Sequence, residues 1–421
     1  MLKKLIEKRD HFREEVSRNP NAYWGRRLII FLLIVGLMLF YLVRVFDMND
    51  TKHSEQVFQA YYKLPKNTVD VVYTGSSAAY RYYSPYMAWA ETGITSFDLN
   101  SASQPIILQE PIINEALKTQ KPKVIVIEVR NILKIPDSMT DTAIRRVTDA
   151  MHWSRNRNAA IRKALKYYRY SNSYDAETLD KASYYFPFLK YHGRWNDDIH
   201  LSDWKAVTKQ NAYMGQVVDS ALSWVVDDVK VRQYDDYTEL NSIQKKTIRD
   251  LLNYCDRLTK RSNVKILFVS SPFSGSKEDY GLINSTEKMI TGRGYTFLNF
   301  NDRKSGLAKA IDVNQNTDFC DERHANIIGM TKFSNYMSRY LQQHYNLKDH
   351  RNDTGSAYDT WRSKSESFYT TISLWARSAG YDAVNLLQQR KTDSAEIQKT
   401  NRLIQKLLSH DPEPDMEMDE G

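Results

Sequence analysis

Cysteine is nearly absent from this chain, with only Cys255 and Cys320 in 421 residues. That excludes a disulfide-stapled scaffold and leaves one bridge between the pair as the most the sequence allows. No nucleic-acid motif is present, and the formal charge of +8 does not gather into a basic stripe, so a nucleic-acid partner is not expected. About half of that charge lies in residues 1–27, where eight Lys or Arg face four Asp or Glu. From Leu28 to Val43 charge is missing altogether. Extended by Val45 and Phe46, the run approaches the roughly 20 apolar residues that cross a bilayer. It also lacks the polar face that a core helix at a protein surface would carry. The residues that follow, Phe46-Asp47-Met48-Asn49-Asp50, contain no small-x-small cleavage pattern, which argues against a removed signal peptide. The sequence therefore predicts a single-pass transmembrane helix over 28–46. The basic arm 1–27 is expected in the cytoplasm, and everything after Phe46 outside.

What is present after the span is a strand and helix alternation. Strands are expected at Val69 to Thr74, Ile94 to Leu99 and Lys123 to Val129, with helices at Pro85 to Glu91 and Pro105 to Thr119 between them. The pattern resumes with a helix from Asn241 to Arg261, a strand Val264 to Ser270, a helix Gly281 to Thr291 and a strand Tyr295 to Asn299. Such alternation predicts an α/β fold, a parallel sheet with helices on both faces, here over 54–345 with a helical insertion at 132–240. Ligands of open α/β sheets bind beyond the carboxyl ends of the strands. Gly75-Ser76-Ser77, Asn100-Ser101-Ala102 and Arg130-Asn131 all fall at such ends.

The turn Gly75-Ser76-Ser77 closes the first strand. A glycine there lets the chain turn sharply and present the next side chain, which suits a serine nucleophile. Ser76 or Ser77 could equally cap the following helix. A nucleophilic serine needs a base, and Asp321-Glu322-Arg323-His324 offers one. The spacing alone is uninformative, because Asp50 with His53, Asp149 with His152 and Asp197 with His200 repeat it. Only the pair Asp321 and His324 follows a completed α/β unit and precedes an amphipathic helix, on which Met330, Phe333, Met337, Tyr340 and Leu341 share one face.

These residues resemble the SGNH, or GDSL-like, hydrolases and acyltransferases. Gly75-Ser76-Ser77 is similar to the family's first block, with Ser76 where Asp is usual and Ser77 at the nucleophile's place. The run from Asp318 to Asn326, with Gly329, Lys332 and Phe333, is similar to its last block. The middle blocks differ: Asn100-Ser101-Ala102-Ser103 and Glu128-Val129-Arg130-Asn131 stand where the family often has Gly and Gly-x-Asn. The variant blocks look most like membrane-anchored envelope members, including lipoteichoic-acid D-alanylation and alginate-acetylation proteins. The resemblance implies Ser77 as nucleophile, His324 as base and Asp321 as its orienting carboxylate. Oxyanion donors would come from Ser77, the Ser101-Ala102 turn and Asn131. It implies no cofactor and no metal.

The insertion is rich in aromatic and basic residues, with twelve Lys or Arg, seven Tyr and three Trp from Arg145 to Lys205. Its aromatics either build a small core or stack on sugars, and Arg194 and Trp195 are the candidates for substrate contact. Helices are expected over 346–410, at Ser356 to Arg377 and Tyr381 to Leu408. The six carboxylates of 411–421 read as a disordered tail. The expected function is transfer of an acyl group, acetyl by preference, to an envelope polysaccharide or teichoic-acid-like acceptor. A membrane partner would export the acyl group. A carbohydrate esterase and a catalytically inert glycan-binding scaffold are the alternatives.

Overall fold

The computed structural model describes residues 19–46, 49–196, 199, 201–204, 213–226, 228–231 and 234–365, with residues 10, 12, 14, 16, 17, 368 and 372 besides. The expected helix Tyr381 to Leu408, the tail 411–421 and the pair Asp197 and His200 lie outside the described residues. The chain divides into two compact units, one of Met1–Asn49 with Asp180–Val207, the other of Asp50–Leu179 with Thr208–Gly421.

The larger unit is built on a five-stranded parallel sheet in the order β2-β1-β3-β4-β5. Its strands are β1 Val71–Thr74, β2 Ser96–Asp98, β3 Val124–Glu128, β4 Lys265–Ser270 and β5 Thr296–Asn299. Every residue of β1, β2 and β3 is buried, which explains why β1 and β3 read as near-continuous apolar runs rather than alternating ones. Register is in phase across the centre: Tyr73 pairs with Val126, and Ile127 with Phe268. The first strand begins two residues later than the apolar pattern suggests. The Gln120 side chain accepts from the backbone N–H groups of Thr68 and Val69, at 2.8 and 3.2 Å, ahead of the ladder.

Helix starts follow local capping. Asn241 and Gln244 form a capping box before Ser242–Arg261. Ser276 and Asp279 form another, which starts the next helix at Lys277 rather than Gly281. The last long helix, Ile327–Tyr345, buries Met330, Phe333, Met337 and Leu341 completely. Tyr340, expected on that face, is half-buried and stacks on His344 instead. Before this helix the chain makes a two-stranded antiparallel hairpin that the sequence pattern did not announce, β6 Phe319–Asp321 and β7 His324–Ala325.

The insertion is not one body. Its helices Asp141–Thr148 and Arg155–Tyr168 pack in the larger unit, the second against Ile106–Leu108 and Gln109–Ala116. Buried Arg157 ties them by donating to the Thr148 carbonyl at 2.6 Å and pairing with Asp149 at 3.3 Å. Residues 180–207 belong to the smaller unit. There the helix Pro20–Phe46 carries a stretch, Pro20–Val43, long and apolar enough to cross a membrane, and its most apolar part has no buried residue.

Candidate active site

In a doubly wound sheet of this strand order, the chain leaves β1 and β3 in opposite directions, and a crevice opens between their carboxyl ends. Ser77 follows β1, and Arg130 and Asn131 follow β3. The turn into Ser77 is tight. A Cβ added at Gly75 would lie 2.8 Å from the Glu128 Cβ and 3.1 Å from that of Ala79, so only glycine lets β1 approach β3 this closely. Ser76 occupies the cap position of the four-residue helix Ser77–Tyr80 but makes no side-chain capping bond. Ser77 is the first helical residue, and a first-turn N–H has no partner within its own helix.

The hairpin brings His324 to this serine. His324 Nε2 lies 2.8 Å from Ser77 Oγ, and Nδ1 lies 2.8 Å from one Asp321 carboxylate oxygen and 3.1 Å from the other. An ionised carboxylate only accepts, so Nδ1 carries the ring proton, and Nε2 is left to accept from the serine hydroxyl. Burial pushes the imidazole below its usual 6.5. Its bond to Asp321 pulls back upward, while Arg130 and Arg81 add to the downward push. The ring is therefore neutral near pH 7 and can take a proton. Burial opposes the charge on Asp321, but hydrogen bonds from His324 and from the Arg323 N–H outweigh it and hold the carboxyl at about 2.

The spacing of the late block has a physical origin. Asn326 caps the long helix through the N–H groups of Ile328 and Gly329, while its amide donates to the Thr317 carbonyl at 2.7 Å. A side chain at Gly329 would meet the Asp318 carbonyl at 2.3 Å. Lys332 reaches back to the Asp318 carboxylate at 3.0 Å. Together they clamp the base of the hairpin to the helix that follows. At its tip, the Ser274 N–H donates to the Glu322 carbonyl at 2.6 Å, tying the hairpin to the loop after β4.

Of the expected oxyanion residues, Ser101 is fully buried after β2, and its hydroxyl has no protein partner among the described residues. Ala102 lies in the same turn, with its carbonyl 3.5 Å from Arg146 Nη1. The Asn131 amide is directed at backbone carbonyls, Gln104 at 2.6 Å and Ser103 at 3.5 Å, and so braces the β2 turn against the end of β3. Arg194 and Trp195 belong to the smaller unit and Ser77 to the larger; within the smaller unit Arg194 donates to the Phe46 carbonyl at 3.1 Å and Trp195 is exposed. The two cysteines are buried free thiols, so the single bridge that the sequence allowed is not formed.

Three charged residues near the crevice were given no role by the sequence reading. Glu128 is buried under Gly75 and accepts from Arg130 N at 3.1 Å and Ser271 Oγ at 3.3 Å. Arg130 is buried between the Tyr82 and Phe273 rings and donates to the Pro272 carbonyl at 2.9 Å. Arg81, one turn beyond Ser77, makes a two-pronged ion pair with Asp219 at 2.7 and 2.6 Å. A signal existed for the first two: Glu128 ends and Arg130 closely follows an otherwise apolar strand, and a charge buried at a strand end needs a reason. No family model, curated protein or solved structure matches the chain.

Proposed function

We propose that this chain is a membrane-anchored serine acyltransferase of the SGNH type, acting on a glycan of the cell envelope. The observation that carries the reading is the continuous relay from Ser77 through His324 to Asp321 at the carboxyl edge of the sheet. In this reading Ser77 Oγ attacks the acyl carbonyl of the donor, and His324 Nε2 takes the hydroxyl proton. Asp321 keeps the ring in the accepting tautomer and stabilises the imidazolium that forms. The oxyanion faces the Ser77 N–H and the turn after β2. As the intermediate collapses, the donor leaves with the proton from His324, and the acyl group remains on Ser77 as an ester. A sugar hydroxyl then gives its proton to His324 and attacks that ester, which releases the acylated glycan and restores the serine.

Transfer is preferred to hydrolysis because the apolar helix can hold the enzyme beside a membrane partner that delivers the acyl group, an advantage that a hydrolase does not need. The basic arm before the span supports a cytoplasmic N-terminus, with the site on the other side. The test is to supply the full-length chain in detergent with an activated acetyl ester, with and without a glycan oligosaccharide. Faster turnover with acetylated sugar as product is the expected result. Free acetate at one rate in both conditions would replace the transferase by an esterase. No turnover and no acyl-enzyme would leave a glycan-binding scaffold.

A further inference from the structure

The smaller unit carries an apolar surface that the acyl-transfer chemistry does not use. Helix Phe188–Tyr191, the turn His192–Asn196 and helix Leu201–Trp204 pack against Pro20–Phe46. Their inner side chains are buried: Tyr191 is 2% exposed, Asp203 2% and Val45 0%. Their outer face is mixed: beside the exposed polar Lys190, His192 and Asn196 it carries large apolar side chains that a purely water-facing surface would not need. Leu189 is 44% exposed, Trp195 67%, Leu201 73% and Trp204 45%.

Two hydrogen bonds set the height of this surface on the apolar helix. The Tyr41 hydroxyl donates to the Trp204 carbonyl, and Arg194 donates to the Phe46 carbonyl. At 1.5 Å per residue, Leu28 to Tyr41 covers only about 20 Å, and Leu28 to Phe46 about 27 Å. A hydrocarbon layer about 30 Å thick that begins at Leu28 therefore still surrounds Tyr41 and ends near Phe46. The short helices are attached across that last stretch, at the depth where Trp and Tyr concentrate in membrane proteins.

We infer that residues 188–196 and 201–204 form a membrane-interface platform, whose side chains Leu189, Trp195, Leu201 and Trp204 enter the leaflet at the C-terminal end of the span. The inference rests on the reading of Pro20–Phe46 as a membrane anchor and assigns Trp195 to lipid rather than to sugar. The platform gives the anchor a second, broad foothold that restricts its tilt and rotation, as interfacial aromatics do.

Bimane labels on full-length L33C, W195C and L201C variants in phosphatidylcholine vesicles test this, the native thiols being buried. The replaced side chains are exposed, and matching thermal unfolding curves show that the fold is kept. The labels at 195 and 201 are expected to lose most of their fluorescence to lipids carrying a shallow nitroxide, and little to aqueous iodide. The label at 33 should respond to a deep nitroxide. Iodide quenching at 195 and 201 with a deep response at 33 would overturn the platform and leave the anchor standing. Shielding of 195 and 201 from both quenchers would overturn it too, by putting a protein on that face. Absence of any nitroxide response at 33 would mean that the anchor reading itself has failed.

Discussion

Two histidines of the larger unit are held in nearly the same way but by different second partners. His324 lies between Asp321 and Ser77, each 2.8 Å from a ring nitrogen. His350 lies between Asp353 at 2.7 Å and Asp70 at 2.8 Å. In both, a carboxylate three residues away holds Nδ1. The second partner decides the outcome. A hydroxyl can donate to Nε2, which leaves a lone pair in use as a proton acceptor, whereas a carboxylate only accepts and turns the ring into a two-ended clamp. His350 also donates its backbone N–H to the Gly93 carbonyl and packs on Tyr358, so it fastens the segment after the helix Ile327–Tyr345 to the start of β1. In the proposed mechanism one histidine moves a proton, while the other holds the chain.

Breaking each arrangement should therefore give opposite signatures. The largest effect is expected from Ser77→Ala or His324→Ala, each lowering turnover of an acetyl ester about ten-thousandfold with little change in the melting temperature. Asp321→Asn should cost about a thousandfold in the same assay, since orientation and tautomer control are lost while the base remains. His350→Ala should do the reverse. Turnover of the folded protein is kept, but stability falls by about 2 kcal/mol in urea unfolding, because Asp70 and Asp353 lose hydrogen bonds to a shared partner.

The pH profile sharpens the contrast. The proposed mechanism needs neutral His324, so turnover should rise with pH through its titration, and burial places that inflection below 6.5. Asp321 raises the His324 pKa, so Asp321→Ala should move the inflection lower still. An inflection that rose in that variant would contradict the assignment of roles. The smallest effect is expected at Asp149 and His152, a pair with the same sequence spacing as Asp321 and His324. Asp149 turns to Arg157, and His152 stacks on Tyr62 at 3.8 Å. His152→Gln should leave turnover unchanged and cost stability under about 1 kcal/mol.

The sheet was legible because buried parallel strands need unbroken apolar runs, and Val124–Glu128 and Lys265–Ser270 supply them. Ser77 and the pair Asp321 and His324 were legible from their place at strand ends and before a patterned helix. The hairpin that joins them was not, because strands of three and two residues carry no period. Nor could local sequence show that Arg194 and Trp195 fold with the apolar helix, since that association joins segments 148 residues apart. The Asn131 amide was equally opaque: residue type offers a donor, and only the fold directs it to Gln104.

The central claim is that Ser77 is a nucleophile activated by His324. The direct measurement is peptide mass mapping of the full-length chain quenched in acid after brief exposure to an activated acetyl ester. One acetyl group on the peptide containing Ser77, absent from Ser77→Ala and His324→Ala and retained in His350→Ala, is the predicted result. An adduct on Ser76 or elsewhere, or no adduct in the wild-type protein at any pH above the His324 titration, would contradict it.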